Sequence, residues 1–549
     1  MEEIVVYLAR RIHTMNPGCP TASAIATRGK DILEVGDLDQ MGPWLDGKDY
    51  RIDRQFEDKI FLPGLIDPHL HPIMAAVLLP MHFITALDWN LPNIHSTAIT
   101  GLHEYLERLA QIEGGLENAE EPLFTWGYHQ FWHGVVDREA LNRISKDRPI
   151  VVWHRGFHEM IVNDATLKWM DIPQDTLDSH PHVKLQAGRF FETGLSLAIS
   201  ALKPYLLDPD RITHGLSMLK EIIHQGGHTT IGDMAVGLFD QGMELGHLNN
   251  FTDDDALPFR MMGVAMGIGF GKVSQNLDAE LRRVSELQTQ GNHRFFFKKH
   301  VKLFADGGMF ASLMQLLEPG FIDGADGHWL TPPAQLEETT RLYWNEGYHI
   351  HVHCCGDMGL EATLDILEKL QWERPRFGHR FTIEHFGLST PEQVQRISDL
   401  GAIVSANVYY LHELSDAYWK HNIGYGRASQ MSRLGELEQN GIRFSFHSDF
   451  TMAPAQPLYN AWVAVNRVSE SGNVMAPDER ISVHQAMKAI TVDAAYVLGL
   501  ENIVGSLRGG KRADITVLEQ DPYEIDPMGL KDLKIEATIF EGRVYDVGN

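Results

Sequence analysis

Two histidines one residue apart, His69 and His71, close an apolar run that begins at Leu62. Side chains two residues apart share one face of a strand, so both rings can bind the same metal ion. By itself the pair is also compatible with polar residues at an ordinary strand end, because such pairs often arise by chance. The pair therefore predicts a metal site only if other ligand types occur at neighbouring strand ends.

A lysine, Lys302, lies inside the otherwise apolar segment Val301–Asp306. Lysine is seldom buried without a partner or a function. Burial favours the neutral amine, which can react with carbon dioxide to give a carbamate that bridges two cations. The alternative is a side chain whose stem lies along apolar surface while its ammonium group stays in solvent.

Three further apolar segments end in histidine or carboxylate. His349, His351 and His353 share one face of a predicted strand. His353 lies nearest the C-terminal end, where barrel active sites form, and we expect His351 to lie deeper. His385 follows Glu384, an acid that can orient this histidine or a neighbouring one. The six predicted ligands of one metal centre, each at a predicted strand end, are His69, His71, Lys302, His353, His385 and Asp449.

The elements that must position these ligands are apolar runs alternating with helical patterns, which is typical of βα units and a parallel sheet. The predicted strands are Ile150–Trp153, Thr229–Asp233, Val301–Asp306, His349–His353, Phe381–Glu384, Ala402–Ala406 and Ile442–Ser445. We therefore predict an α/β fold whose hydrolase domain, residues 63–501, is a (β/α)8 TIM barrel. Residues around 75–202 fit this alternation poorly and are interpreted as an insertion.

Both ends of the chain contain short β segments separated by turn residues. They are Ile4–Leu8, Ala24–Thr27 and Lys59–Leu62 at one end, and Asp514–Leu518 and Ala537–Phe540 at the other. The two ends can pair with each other, which would bring the termini together. We predict a small β-sandwich domain built from residues 1–62 and 502–549.

Composition excludes several classes of protein. With 549 residues, 44% of them hydrophobic and 22% charged, the chain can bury a large core. Its net charge of -27 repels phosphate backbones and anionic lipids, so we expect neither nucleic-acid nor membrane partners. The three cysteines, Cys19, Cys354 and Cys355, do not form a disulfide framework. The N-terminal segment lacks the basic start of a signal peptide, so we expect a cytoplasmic protein.

The motifs together resemble the amidohydrolase superfamily, in particular the group related to N-substituted formamide deformylase and similar metal-dependent amide hydrolases. The resemblance covers nearly the whole chain, from the Pro-Gly-Leu-Ile-Asp-Pro-His-Leu-His run at 63–71 to the Gly-Ser-Leu-x-x-Gly-Lys-x-Ala-Asp run at 505–514. His447 and the Cys354–Cys355 pair depart from the usual pattern, and these departures leave the substrate open.

The resemblance implies a role for each predicted ligand. His69 and His71 would bind a first metal, and His353 and His385 a second. Lys302, as carbamate, would bridge the two ions. Asp449 would bind the first metal and serve as the proton shuttle.

Such a site, with two Zn²⁺ ions per chain, predicts hydrolysis of a C–N bond in an amide, formamide or cyclic amide. A metal-bound hydroxide would attack the carbonyl carbon, and Asp449 would pass the proton to the leaving nitrogen. Histidine and carboxylate ligands also suit iron, manganese, cobalt or nickel.

Two other interpretations remain open. If Lys302 is unmodified, a single metal bound by His69, His71, His385 and Asp449 could still support hydrolysis, or the deamination of an aminated heterocycle. The chain could also be a non-catalytic barrel that serves as an interaction scaffold, although such scaffolds tend to lose their ligands.

The predicted substrate contacts form a more heterogeneous set. Trp126 and Tyr128, in the insertion, could line a pocket for an apolar or aromatic group, or pack within a cap or subunit contact. The family resemblance implies pocket roles for His158 and Asn163, and Asp306 and His447 complete the set. We expect a small-molecule amide as substrate and a homodimer as the assembly.

Overall fold

Four sheets form the β structure of the computed structural model, which describes residues 3–268 and 276–548. The first strands are β1 (Ile4–His13), β2 (Thr21–Arg28), β3 (Asp31–Gly36), β4 (Tyr50–Asp53), β5 (Ile60–Pro63) and β6 (Leu65–Leu70). Next come β7 (His82–Phe83), β8 (Trp89–Leu91), β9 (Ile94–Ser96), β10 (Leu123–Tyr128), β11 (Ile150–His154), β12 (Glu159–Val162), β13 (Val183–Lys184) and β14 (Arg189–Phe191). The remaining strands are β15 (His228–Val236), β16 (Arg260–Met266), β17 (Phe295–Phe304), β18 (His349–Cys354), β19 (Thr382–His385), β20 (Ile403–Ala406), β21 (Phe444–Phe446), β22 (Ile515–Leu518), β23 (Ile535–Phe540) and β24 (Arg543–Asp546).

Helices separate most of the barrel strands. The first ten are α1 (Gly42–Leu45), α2 (Pro72–Leu78), α3 (Leu102–Gly115), α4 (Gln130–His133), α5 (Arg138–Ile144), α6 (Asp164–Met170), α7 (Gln174–Ser179), α8 (Thr193–Leu206), α9 (Pro209–Gln225) and α10 (Gln241–Thr252). The others are α11 (Leu277–Leu287), α12 (Pro333–Asn345), α13 (Asp357–Glu373), α14 (Pro391–Leu400), α15 (Tyr409–His421), α16 (Tyr425–Ala428), α17 (Leu434–Gln439), α18 (Pro457–Asn466), α19 (Val483–Ala489) and α20 (Val492–Val497).

Eight parallel strands form the central sheet, in the order β6, β15, β16, β17, β18, β19, β20, β21. Spatial order equals chain order, as expected for successive βα units. The backbone N–H of Asp449, just after β21, donates to the carbonyl of His69 in β6 at 2.9 Å. This bond joins the two edge strands, so the sheet is a nearly closed barrel. The predicted α/β fold with a parallel eight-stranded barrel sheet is confirmed.

Helix α13 shows why the connecting segments are helical. Leu360, Leu364 and Leu367 recur at helical spacing and are all buried. The helix therefore has an apolar stripe that packs on the outside of the barrel sheet. Its first turn follows the end of β18 directly, which places the His353 end of that strand at the helix N-terminus.

The segment between β6 and β15 forms a sheet of its own, in the order β13, β14, β12, β11, β10, β7. Strand β11 contains the predicted strand Ile150–Trp153, which therefore belongs to the insertion and not to the barrel. A short buried apolar run has the same sequence pattern in a barrel strand as in a strand of the inserted sheet, so the sequence could not assign β11 to one of them. The barrel position is taken by β16, which was not among the predicted strands.

Both chain ends contribute to one eight-stranded sheet, in the order β24, β23, β22, β5, β1, β2, β3, with β4 beside β1. Strand β22 pairs antiparallel with β5, so the C-terminal segment joins the N-terminal one immediately before the barrel begins. A sandwich of two layers is not confirmed. The domain limits at residues 62/63 and 501/502 stay predictions.

Within residues 3–268 and 276–548, no helix has both the length and the apolar character needed to cross a membrane. The cellular compartment and the oligomeric state stay predictions.

Candidate metal centre

One cavity at the C-terminal mouth of the barrel is lined by all six predicted ligands. The cavity has a volume of about 140 Å³. Each ligand lies near the end of a barrel strand or just beyond it, because parallel strands present their C-terminal ends at one face of a barrel. The six residues are His69 in β6, His71 after it, Lys302 in β17, His353 in β18, His385 at the end of β19 and Asp449 after β21.

The carboxylate of Asp449 lies at the centre of this group. Its Oδ1 is 3.0 Å from Nε2 of His71 and 3.5 Å from Nε2 of His69. Its Oδ2 is 3.6 Å from Nδ1 of His385. The rings of His353 and His385 lie with their centroids 4.3 Å apart. His69, His71 and His385 thus converge on the carboxylate of Asp449, and the ring of His353 lies beside that of His385.

Several polar atoms at this centre are buried without a hydrogen-bond partner. They include Nε2 of His69, Nζ of Lys302 and both ring nitrogens of His385. An unsatisfied buried polar group costs about 1–3 kcal/mol, so several together indicate a ligand that satisfies them. Ligand atoms of His69, His71 and Asp449 lie within 4.8 Å of one another, as do those of His69, His385 and His447. Imidazole and carboxylate donors at such spacing fit a transition-metal ion.

Burial sets the protonation of these groups in a direction that suits metal binding. It lowers the pKa of His69, His353 and His385 well below the usual value, so the rings are neutral and can act as ligands. Burial also lowers the pKa of Lys302, against the opposing charges of Glu384 and Asp449. This shift favours the neutral amine that carbamate formation requires.

Glu384 holds the His69 ring in place. Its Oε2 lies 2.7 Å from Nδ1 of His69, and its Oε1 lies 2.7 Å from Nδ1 of His351. Burial raises the pKa of Glu384, but the hydrogen bond from His351 and the charge of Lys302 outweigh it, so the pKa is lowered. The carboxylate therefore accepts from His69 and leaves Nε2 of that ring for a metal. The sequence did not show whether Glu384 bonds to His385 or to another histidine.

Two of the predicted ligands have left-handed backbone conformations, His385 with φ of 72° and Asp449 with φ of 52°. Such conformations cost roughly 1–3 kcal/mol in residues other than glycine, and they concentrate at functional sites. The backbone thus turns each side chain toward the cavity at the point where its strand ends. Sequence patterns carry no signal for this.

His158, from the insertion, also lines the cavity. Its Nδ1 is 3.1 Å from Oε2 of Glu192, a buried residue that sequence reasoning missed. Burial lowers the pKa of His158, but the charge and hydrogen bond of Glu192 outweigh it, and the pKa is raised. The insertion therefore adds a histidine with a raised pKa to a cavity in which the pKa values of His69, His353 and His385 are lowered.

The remaining wall of the cavity is largely apolar. Its larger side chains include Met74, Phe239, Phe304, Phe310, Tyr410 and Met452. An apolar wall strengthens the electrostatic interactions inside the cavity, because it replaces water with a medium of low dielectric constant. Tyr410 is contributed to this wall by α15, the helix that follows β20.

A model of the amidohydrolase family matches residues 57–546. The chain belongs to the amidohydrolase family. The resemblance noted from the motifs is therefore confirmed.

Curated relatives of this amidohydrolase differ widely in what their names say. Protein LONG AFTER FAR-RED 3 of Arabidopsis thaliana is 24% identical over 528 residues, which cover 93% of this chain and 86% of the relative. N-substituted formamide deformylase of Arthrobacter pascens is 26% identical over 199 residues, 36% of each chain. The crystal structure of a metal-dependent hydrolase from Pyrococcus horikoshii superimposes with a TM-score of 0.73 at 20% identity, covering 96% of this chain and 99% of that one. The similarity to this crystal structure shows that the two chains share a fold.

Five of the six predicted substrate contacts lie away from the cavity lining of this amidohydrolase. Trp126 and Tyr128 are buried in β10, where Trp126 packs on Trp89 and Tyr128 donates from its hydroxyl to the carbonyl of Gly134 at 2.8 Å. Their positions within the inserted sheet account for their burial. Asn163 caps α6, and its side chain accepts from the backbone N–H of Thr166.

Asp306 lies behind the cavity, under the loop that follows His353. Its carboxylate accepts from the backbone N–H groups of Cys355, Gly356 and Gln315 at 2.8–2.9 Å. Burial raises its pKa to about 7, against these hydrogen bonds. The structure thus places Asp306 where it shapes the loop beside a ligand.

His447 also lies below the cavity. Its ring is 1% exposed, and both of its nitrogens lack a hydrogen-bond partner. Burial lowers its pKa to about 4. Its position beside His69 and His385 makes it a neighbour of the ligands and distinguishes it from the residues that line the cavity.

Proposed function

We propose that this amidohydrolase cleaves the C–N bond of an amide, formamide or cyclic amide, using a metal centre held by the six residues at the barrel mouth. The observation that carries the proposal is the convergence of these six side chains on one cavity, with His69, Lys302 and His385 presenting unpartnered buried atoms. The name of one relative, N-substituted formamide deformylase, agrees with this reaction class.

The side chains divide into two groups that could each hold one Zn²⁺ ion. His69, His71 and Asp449 form the first group, since their ligand atoms lie within 4.8 Å of one another. His353 and His385, with adjacent rings, form the second. Lys302, carboxylated on Nζ, would stand between the groups. Divalent cations in such a site supply Lewis acidity and make water nucleophilic near neutral pH.

Asp449 is the residue placed to move the proton. Its carboxylate lies among the histidines and still reaches the cavity. We assign it to accept the proton of the attacking water and to deliver it to the leaving nitrogen. The delivery is needed because an amine is a poor leaving group until it is protonated.

His158 and the apolar wall would bind the rest of the substrate. His158, whose pKa is raised by Glu192, can donate a hydrogen bond to a carbonyl oxygen in the cavity. The apolar side chains around it, among them Phe239 and Phe310, favour a substrate with an apolar substituent and keep bulk water from the reacting bond.

The test is a panel of N-formyl and N-acyl amines, cyclic amides and aminated heterocycles, assayed with protein reconstituted with Zn²⁺ and with metal-free protein. We expect metal-dependent release of an amine and a carboxylate in equal amounts from at least one amide. Release of ammonia from heterocycles alone would favour the mononuclear deaminase instead. Turnover that is the same without metal would overturn the proposal.

A further inference from the structure

A continuous line of hydrogen-bonded side chains crosses the interior of the barrel below the metal centre. It starts at Glu384, whose Oε1 lies 2.7 Å from Nδ1 of His351. Nε2 of His351 lies 2.9 Å from Nδ1 of His300, and Nε2 of His300 lies 3.0 Å from Nδ1 of His349. The other oxygen of Glu384 contacts His69. Five side chains from four strands are thus linked end to end.

The line runs along the barrel axis, away from the mouth. His353 lines the cavity, whereas His351 and His349 lie two and four residues earlier in the same strand. With a rise of about 3.3 Å per residue, His349 lies roughly 13 Å from His353 along the strand. His300 belongs to the adjacent strand β17 and fills the space between the two.

Burial makes these hydrogen bonds obligatory. His351 and Glu384 are fully buried and His300 is 2% exposed, while His349 is partly exposed at the far end. Water cannot replace a lost partner at the inner positions, so each ring must bond to its neighbour. Gly499 leaves space for the His300 ring, because a Cβ at this position would lie only 3.3 Å from Nε2 of His300.

The direction of the bonds follows from the chemistry of the end group. An ionised carboxylate only accepts, so His69 and His351 both carry hydrogen on Nδ1. A neutral imidazole has one N–H, so Nε2 of His351 accepts from Nδ1 of His300. By the same rule Nε2 of His300 accepts from Nδ1 of His349. All three rings then donate toward Glu384.

We propose that His351, His300 and His349 are positioning residues for the metal centre, which orient the Glu384 carboxylate and through it present Nε2 of His69 to the metal. The inference rests on the proposed metal centre, and it adds a support that reaches that centre from the opposite end of the barrel. The effect on the metal is indirect, because none of the three rings lines the cavity.

Two amide substitutions of His300 separate positioning from packing. In His300→Asn the amide nitrogen takes the place of Nδ1, so the bond to His351 is kept and the bond to His349 is lost. In His300→Gln the amide lies where Nε2 was, so the bond to His351 is lost. His228→Leu is the matched control, since His228 is equally buried at the start of β15 and donates only to the backbone of Ile223.

The experiment measures the Kd for Zn²⁺ by chelator competition and the visible spectrum of the Co²⁺-substituted protein, together with the Tm. We expect His300→Gln to weaken Zn²⁺ binding about 10-fold, the lower end of the range for partners of a ligand, and to alter the Co²⁺ spectrum. His300→Asn should weaken binding less than His300→Gln, because it keeps the bond to His351 and loses only the more distant bond to His349. His228→Leu should lower Tm without changing Kd.

Two results would overturn the positioning role: equal Kd values for the natural protein and His300→Gln, or an equal loss of affinity in His228→Leu. Failure of the natural protein itself to bind a divalent cation would instead overturn the proposed function. The two failures are therefore distinguishable in one series of measurements.

Discussion

The ring of His447 stacks on the ring of His69, with centroids 4.2 Å apart and ring planes 7° apart. His69 is thus fixed in two directions, by His447 against its face and by the Glu384 carboxylate at Nδ1. A residue that departs from the family pattern therefore contacts a metal-ligand candidate directly. Substitutions of His447 can show whether its ring nitrogens or its flat ring supports His69.

His447→Phe keeps a flat ring against His69 and removes the two unpartnered nitrogens. We expect unchanged Zn²⁺ affinity and an equal or higher Tm, because buried unsatisfied nitrogens cost stability. His447→Ala removes the stack and should lower both. Chelator competition and thermal unfolding measure the two quantities. If the Phe variant loses metal as severely as the Ala variant, His447 is itself a ligand.

Lys302→Ala removes the amine that would carry the carbamate. We expect no measurable turnover, and partial recovery when formate, acetate or propionate is added to occupy the place of the carbamate. Lys299→Ala is the control, because Lys299 lies in the same strand but is exposed. Turnover is measured against carboxylate concentration. Full activity of the Ala variant without added acid would remove the bridging role of Lys302.

Asp449→Asn tests the proton shuttle. The amide keeps the shape and one oxygen of the carboxylate but cannot accept the proton. We expect bound metal to be retained while kcat falls by at least about 100-fold, as is typical when a general base is removed. Metal content by elemental analysis and steady-state kinetics measure the two effects. Near-normal kcat with full metal content would assign the shuttle to another residue.

The sequence predicted the six residues that meet at this cavity because each lies in a segment whose pattern is unusual by itself. Lys302 interrupts an apolar run, and His385 and Asp449 each end one. It could not predict what depends on contacts between distant segments. The apolar run of β11 matches a barrel strand in composition, and only its pairing with β10 and β12 places it in the insertion. The sequence predicted strands at both chain ends, but not the order in which they pair in the sheet.

Partners of the ligands were hardest to foresee. The acid at Glu384 was visible next to His385, yet its carboxylate bonds to His69, 315 positions earlier in the chain. Adjacent residues in a strand point to opposite faces, so sequence adjacency is a poor guide to contact. Glu192 gave no signal, because its role depends on α8 beginning beside His158.

Glu192→Gln tests the role of His158 through pH dependence. The pKa of His158 is raised by Glu192, so the ring stays protonated to a higher pH than an ordinary histidine. Its hydrogen bond to substrate should be lost as pH rises through this pKa, and kcat/KM should fall on the alkaline side. Without the charge of Glu192, that fall should move to lower pH. Profiles of kcat/KM against pH measure it, and an unmoved alkaline limb would exclude His158 as the donor.

Arg155 connects the insertion to the loop that follows Asp449. Its guanidinium donates to Glu413 at 2.8 Å and to the carbonyls of Thr451 and Met452 at 3.2 and 2.6 Å. The N–H of Met452 in turn donates to the carbonyl of Asp449 at 2.6 Å. The aromatic rings that enclose the guanidinium, at 4.5–5.0 Å, are those of Trp89, Trp126 and Phe310.

Arg155→Met should therefore have two separable effects. It leaves the Glu413 carboxylate buried without its partner, so we expect a loss of about 3–5 kcal/mol in the free energy of unfolding. The double variant Arg155→Met with Glu413→Gln should lose less than the sum of the single changes, because no unpaired charge remains. Denaturant titration measures both. Far below the Tm, kcat should also fall while KM changes little, since the turn that presents Asp449 is no longer held. Additive stability losses combined with unchanged kcat would show that Arg155 neither pairs with Glu413 energetically nor positions Asp449.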